Sequence, residues 1–170
     1  MGAIGEQPAK LTVSSNVVCT GKPYRPVVLT ARDDHSVGER IGTAALSGMY
    51  ADTALYVNAA AASAGVSINT LQIKHAITGI TLAGRTDHVL SNVQIVNCNS
   101  GIKLTTDSAY KLRNALFDNV RTNVTGGSRT ISRMEQVTSD SADYFNYSGT
   151  NFTIYLTNSV PRLDLGWSIC

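Results

Sequence analysis

The chain has 170 residues, of which 43% are hydrophobic and only 15% are charged, and its net charge is +2. This length supports one domain with its own core, spanning residues 1–170. The charged fraction, well below the roughly 25% of typical soluble domains, disfavours a helical bundle, and the small net charge disfavours a nucleic-acid partner. We therefore expect an all-β domain that carries Ser, Thr and Asn on its exposed side.

The N-terminus carries no visible targeting segment. Met1 is followed by Gly-Ala-Ile-Gly-Glu-Gln-Pro, which has neither the basic start nor the apolar centre of a secretory signal. No stretch approaches the roughly 18 apolar residues of a membrane span. We predict no membrane span, and we expect the signal of an exported parent protein to lie upstream.

The first third of the chain alternates short strands with one long irregular segment. Apolar residues at 11–13 and 27–31 predict strands, and strand character returns at 54–57. Between them, residues 32–48 form a predicted irregular loop.

This loop holds the strongest cluster of ionisable residues in the sequence. Asp33, Asp34 and His35 are consecutive, and Glu39 follows. Paired carboxylates can act as acid and base on a glycosidic bond, and carboxylate oxygens bind calcium. The catalytic candidates are Asp33, Asp34 and His35, and the calcium candidates are Asp33, Asp34 and Glu39. Our main expectation is nevertheless a solvated charged loop, with neither a catalytic site nor a metal site.

Residues 66–125 contain the clearest internal repeat, whose copies follow one another at a constant offset. Leu71, Ile73, Gly79 and Ile80 recur as Val93, Ile95, Gly101 and Ile102, and a third copy places Phe117 under Ile95 and Asn123 under Gly101. Apolar residues alternate with polar ones in each copy, as in strands with one buried side. A unit this short buries its apolar side only by stacking on its neighbours, which predicts a solenoid of parallel strands.

Two features of the repeat predict how each rung (one full turn of the solenoid) bends. The glycine position is expected to be a sharp bend, with Asn123 replacing glycine because asparagine tolerates positive φ. Polar residues also share registers, and we expect their amides to form hydrogen-bonded ladders between rungs. The shared positions are Asn92 with Asn114, and His75 with Asn97 and Asn119.

The remainder of the chain continues the strand pattern less regularly. Residues 134–137 and 152–156 read as strands of later rungs. Tyr144, Tyr147 and Tyr155 belong to the one aromatic concentration and are the candidate sugar-stacking residues, although packing at a turn is the stronger expectation. Neither end carries a visible cap, which predicts a fragment of a longer array with further rungs of the parent chain.

The three cysteines are widely separated, and an odd number cannot all pair within the chain. They are Cys19, Cys98 and Cys170. Cys98 shares its register with Ala76 and Val120, so we predict a small core residue there and no nucleophile.

Residues 93–102 and 114–120 resemble rungs of the right-handed parallel β-helix superfamily, which includes pectate lyases, polygalacturonases and tailspikes. Residues 16–39 resemble a passage in very large secreted repeat proteins of environmental bacteria. The resemblance implies a right-handed β-helix of about five to six rungs, and this scaffold carries enzymes and binding proteins alike. The N-T-D, G-H-G and R-x-K elements of polygalacturonases are missing.

We therefore expect a non-catalytic extracellular or cell-surface module for adhesion, display or glycan contact within a larger protein. Its partners would be polysaccharides or cell-surface components, with no cofactor required and calcium as the only candidate ion. A polysaccharide lyase or glycoside hydrolase of the β-helix class is the alternative, and a trimeric phage-type fibre segment is the second alternative.

Overall fold

Strands of alternating burial account for most of the structure, a computed structural model that describes residues 9–15, 18–22, 24–40, 43, 45–60, 62, 64–105, 108–126, 133–139 and 153–155. No helix occurs among these residues. The ten strands are β1 Ala9–Val13, β2 Val18–Thr20, β3 Val27–Leu29, β4 Ala51–Asn58, β5 Ser67–Lys74, β6 Ala76–Ala83, β7 His88–Leu104, β8 Tyr110–Gly126, β9 Arg133–Ser139 and β10 Thr153–Tyr155.

Every pairing between these strands is parallel, and each strand pairs with the equivalent strand of the next rung. The register runs Leu71 to Val93 to Ala115 to Val137, so the predicted constant offset is confirmed. The sheet is curled into a parallel β-solenoid of about four turns. The right-handed winding and the number of five to six rungs stay predictions.

The interior is one continuous column of apolar side chains. Ile73, Ile95 and Phe117 lie directly over one another and are at most 1% exposed. Ile80, Ile102 and Val124 form a second column farther along each rung, and both columns belong to the same core. Recurrence at a constant offset therefore places equivalent side chains in a single shared interior, as the sequence predicts.

The bends of each rung lie at polar residues with positive φ. His75, Asn97 and Asn119 have φ values of 58°, 53° and 51°, and stand between the two apolar columns. A second set of bends, also in register from rung to rung, is formed by Thr70, Asn92, Asn114 and Gln136. Asparagine suits these positions because its short polar side chain tolerates the left-handed conformation.

The bend predicted at the glycine position is wrong. Neither Gly79 nor Gly101 has a φ in the left-handed region, and neither does Asn123. Glycine is needed there for its size, because a Cβ on Gly101 would lie 2.6 Å from the Phe117 ring and 2.5 Å from the Asn123 carbonyl oxygen. The glycine column thus makes room for the large side chains of the facing strand.

The predicted amide ladders are confirmed at their asparagine positions, whereas His75, also expected in the second ladder, has its Nε2 3.9 Å from Asp34 Oδ2. Asn114 Nδ2 donates to Asn92 Oδ1 at 2.6 Å, and Asn119 Nδ2 donates to Asn97 Oδ1 at 2.7 Å. Asn69 extends the first ladder, since its Oδ1 accepts from Asn92 Nδ2 at 2.7 Å. The predicted core position of Cys98 is also confirmed, as it is 2% exposed and pairs in register with Val120.

Candidate functional site

The irregular segment between β3 and β4 is an insertion at one corner of the solenoid. Leu29 and Ala51 are separated by the whole of residues 30–50, whereas their partners on the next rung, Ile73 and Ala76, are separated only by Lys74 and His75. The insertion therefore lies at the corner that His75 occupies on the next rung. We call residues 30–50 the corner loop, which contains the predicted irregular segment 32–48 and has no strand in its described part.

Asp34 fixes the corner loop to the solenoid. Its Oδ2 accepts from Thr30 Oγ1 at 2.7 Å and lies 2.9 Å from Lys74 Nζ. Its Oδ1 accepts from the backbone N–H of Ser36 at 3.0 Å and from the hydroxyl of the same residue at 2.5 Å. A carboxylate has about four lone pairs in all, and these four donors occupy them.

The surroundings of Asp34 also set the ionisation of two groups. Burial raises the pKa of its carboxyl, but the hydrogen bonds from Ser36, Thr30 and Lys74 outweigh burial and hold the pKa well below its usual range. Burial lowers the pKa of His75, against the opposing charge of Asp34. Asp34 is thus an ionised anchor that has no free lone pair for a substrate proton or a metal ion.

The predicted acidic cluster divides into a buried half and an exposed half. Asp33 and Asp34 are 4% and 6% exposed, so the expectation of a fully solvated loop is wrong for them. His35 and Glu39 are exposed. The loop is docked because the Asp34 carboxylate forms an ion pair with Lys74 in β5. Lys74 is far from the loop in sequence, so no local sequence pattern reveals this contact.

Asp33 faces a cleft of about 430 Å³ between the corner loop and the solenoid, which we call the loop cleft. The cleft brings Asp33 together with Arg32, Lys74 and His75, whereas His35 and Glu39 do not line it. The remaining lining residues are Ala9, Leu29, Thr30, Ala31, Met49, Tyr50, Ala51 and Ala54. The cleft therefore combines apolar side chains from β1, β3 and β4 with the ionisable side chains of Asp33, Arg32, Lys74 and His75.

A second concave surface, which we call the amide groove, follows one ladder across successive rungs. Its volume is also about 430 Å³, and its lining residues are Ser67, Ile68, Asn69, Ser91, Asn92, Arg113, Asn114 and Gln136. The sequence predicts the ladder itself but not the groove, which lies along the positive-φ positions Asn92, Asn114 and Gln136 of successive rungs. The recurrence of Asn92 and Asn114 at the repeat interval is the sequence signal that could have revealed it.

The ladder amides of the groove keep hydrogen-bonding capacity for a ligand. Asn92 uses one Nδ2–H toward Asn69 and one Oδ1 lone pair toward Asn114. A primary amide has two N–H groups and two lone pairs, so one donor and one acceptor remain at a ladder position of this kind. Arg113 adds an exposed guanidinium to this surface.

The described residues contain no group of three or more His, Cys, Asp or Glu side chains placed to hold a metal ion. Burial raises the pKa of Cys98 to about 11, which keeps this thiol protonated at neutral pH. Tyr144 and Tyr147 lie outside the described residues, and Tyr155 is described only as part of the β10 backbone.

No helix among the described residues has the length and apolar character needed to cross a membrane. Comparison with protein-family models, with curated proteins and with solved structures gives no match to this chain. The candidate function therefore depends on the geometry of the two concave surfaces.

Proposed function

We propose that the chain is a non-catalytic module of a larger extracellular or cell-surface protein, and that it contacts glycans through the amide groove. The observation that carries this proposal is the row of side-chain amides in the groove, with the spare donor and spare acceptor of Asn92 at its centre. Sugar hydroxyl groups are both donors and acceptors, so a paired amide donor and acceptor complements them.

The spacing of the groove supports an extended polymer as the ligand. Strands of successive rungs are about 4.8 Å apart, so the amides repeat at this interval along the solenoid axis. An extended glycan chain presents its hydroxyl groups at a comparable interval, which lets neighbouring sugars meet equivalent amides. Arg113 would donate two parallel hydrogen bonds to a carboxylate-bearing sugar.

The resemblance of the repeat to rungs of known β-helix proteins supports a more specific proposal. We propose that the solenoid is right-handed and related to the pectate-lyase-like superfamily, and that the parent protein is a secreted bacterial repeat protein. The parent chain would supply further rungs. The support is the strand–bend–strand pattern of residues 93–102 and 114–120, together with the parallel register of these segments.

The experiment is a binding screen of the whole chain against oligosaccharides of pectin, alginate and bacterial surface polymers, followed by calorimetric titration of the ligand that binds. Arg113→Ala removes one cation from the groove, and Lys111→Ala removes one cation from the same strand outside the groove. We expect Arg113→Ala to weaken binding about tenfold, equivalent to about 1.4 kcal/mol, and Lys111→Ala to leave it nearly unchanged.

Equal effects of the two variants, or the lack of any glycan ligand, would contradict the proposal. A product assay on the same polymers tests the alternative of a lyase or hydrolase. Turnover by the wild type that is lost in Asp33→Asn would show that the chain is an enzyme and not a binding module.

A further inference from the structure

Two neighbouring carboxylates of the corner loop differ in their hydrogen bonds, and only one of them, Asp33, lines the loop cleft. Asp34 accepts from four donors, as described above. Asp33 is equally buried, but its side chain contacts only Arg32 Nε, at 3.4 Å, among the described residues. A buried carboxylate is costly without donors, so Asp33 is an acceptor with unused capacity at the wall of a cleft.

The charges around the cleft leave Asp33 without a buried cation. Lys74 donates to Asp34 and, at 2.6 Å, to Ser36 Oγ. The Arg32 side chain is 71% exposed, so water screens its charge. Burial holds the imidazole of His75 toward its neutral form.

The cleft also has an apolar part. Leu29, Ala51 and Ala54 line this part from the strands, and Met49 and Tyr50 line it from the corner loop. A ligand that fits both halves has a positively charged donor at one end and a short hydrocarbon body at the other.

We propose that the loop cleft is a binding site for an organic cation, a protonated primary amine on an alkyl chain, with Asp33 as its counter-ion. This site is separate from the amide groove and does not depend on glycan binding. The ammonium donates to Asp33, and the alkyl chain packs against Leu29, Met49 and Ala54.

The test is titration of the whole chain with n-butylammonium, followed by two-dimensional amide NMR, with n-butanol as the uncharged probe of the same length. We expect saturable shifts of residues lining the cleft with n-butylammonium and at least about tenfold weaker binding of n-butanol. Equal binding of the two probes, or no saturable binding of n-butylammonium, would overturn the proposal.

Two variants locate the site, and a third is the control. Asp33→Asn removes the counter-ion and should weaken n-butylammonium binding at least about tenfold. Ala54→Leu fills the apolar half, keeps the carboxylate and should also abolish binding. Asp52→Asn removes the same charge from an exposed position of β4 outside the cleft and should change the affinity less than about twofold.

Far-UV circular dichroism of each variant shows whether the fold is kept. If Asp33→Asn unfolds the chain, Ala54→Leu decides alone. Retained binding in a folded Ala54→Leu variant contradicts the site, as does a loss of binding in Asp52→Asn equal to that in Asp33→Asn.

Discussion

Asn123 Nδ2 donates a hydrogen bond of 2.8 Å to Ser139 Oγ, across the interior of the solenoid. The two preceding rungs have Gly79 against Ile95 and Gly101 against Phe117, at the same spacing. A large side chain thus faces a glycine, and the small Ser139 faces the larger Asn123. We call this matching of a large residue on one strand with a small residue on the facing strand the exchange of volume. It fills the interior.

Substitution of Gly101 by Ala tests the exchange of volume. Because the added Cβ would lie 2.6 Å from the Phe117 ring, Gly101→Ala should lower the free energy of unfolding by about 1–3 kcal/mol. Urea denaturation measures the change. Asn99→Ala, at an exposed position of the same strand, should stay within about 0.5 kcal/mol of the wild type.

A second substitution separates crowding from other effects of the Gly101 change. Phe117→Leu in the Gly101→Ala background relieves the contact, so the double variant should be more stable than the two single effects added together. Strict additivity would show that Gly101 is required for a reason other than the space that Phe117 occupies.

The Asn92–Asn114 ladder allows a conformational test. Asn114 has a φ of 54° and donates to Asn92. Asn114→Gly loses the hydrogen bond but keeps the backbone conformation, whereas Asn114→Ala loses the hydrogen bond and also strains the backbone. We expect thermal or urea unfolding to show Ala as the more destabilising change, by about 1 kcal/mol. The reverse order would mean that the left-handed bend is not formed in solution.

The ion pair that docks the corner loop predicts a local effect. Asp34→Asn leaves Lys74 without its anion and should destabilise the chain by about 1–3 kcal/mol. Hydrogen exchange should accelerate at Ser36 and Tyr50, while Ile102 in the core stays protected, because the loop opens without unwinding the rungs. Asp52→Asn is the matched control, and uniform acceleration across all strands in Asp34→Asn would contradict a separately docked loop.

Stability should depend on pH through His88, which is 1% exposed and whose Nδ1 accepts from the backbone N–H of Val66 at 3.2 Å. Burial lowers the pKa of His88, although Asp87 opposes the shift. The unfolded chain then takes up a proton more readily than the folded chain. The contribution of His88 to the free energy of unfolding is therefore fully present above the ordinary His pKa of about 6.5. It is lost as the pH falls below that value.

The comparison is made between pH 7.5 and pH 5 by urea denaturation of the wild type and His88→Asn. Asparagine keeps an acceptor for Val66 and removes the titration, so its loss of stability over this interval should be smaller. His75, whose pKa is also lowered, and Asp34, whose stabilisation is lost only at more acidic pH, remain unchanged in both proteins. Identical pH profiles would exclude His88 as a source of the dependence.

The repeat made the fold predictable, and features without periodicity were not predictable. The constant offset was sufficient to place Ile73, Ile95 and Phe117 in one column, because parallel stacking converts sequence spacing directly into spatial position. The sequence does not reveal the role of Gly101, because a glycine column is compatible with both a bend and close packing. Only the contact with Phe117, on the next rung, distinguishes the two.

The corner loop shows more clearly which contacts the sequence does not predict. Asp34 and Lys74 are far apart in sequence and belong to no common repeat, so nothing in the sequence pairs them. Asp33 and Asp34 also differ in their hydrogen bonds, because Thr30 and Ser36 donate to Asp34. The sequence does not show which of the two carboxylates these donors reach. Only the docked position of the corner loop distinguishes these two neighbouring aspartates.

The most direct test of the solenoid is a nuclear Overhauser experiment on the isotope-labelled chain. A parallel solenoid predicts contacts between the Ile73 and Ile95 side chains and between the Ile95 and Phe117 side chains, with backbone contacts of parallel strands in the register Leu71 to Val93 to Ala115. Strong contacts between facing Hα atoms, which mark antiparallel pairs, or a lack of contact between Ile73 and Ile95, would contradict it.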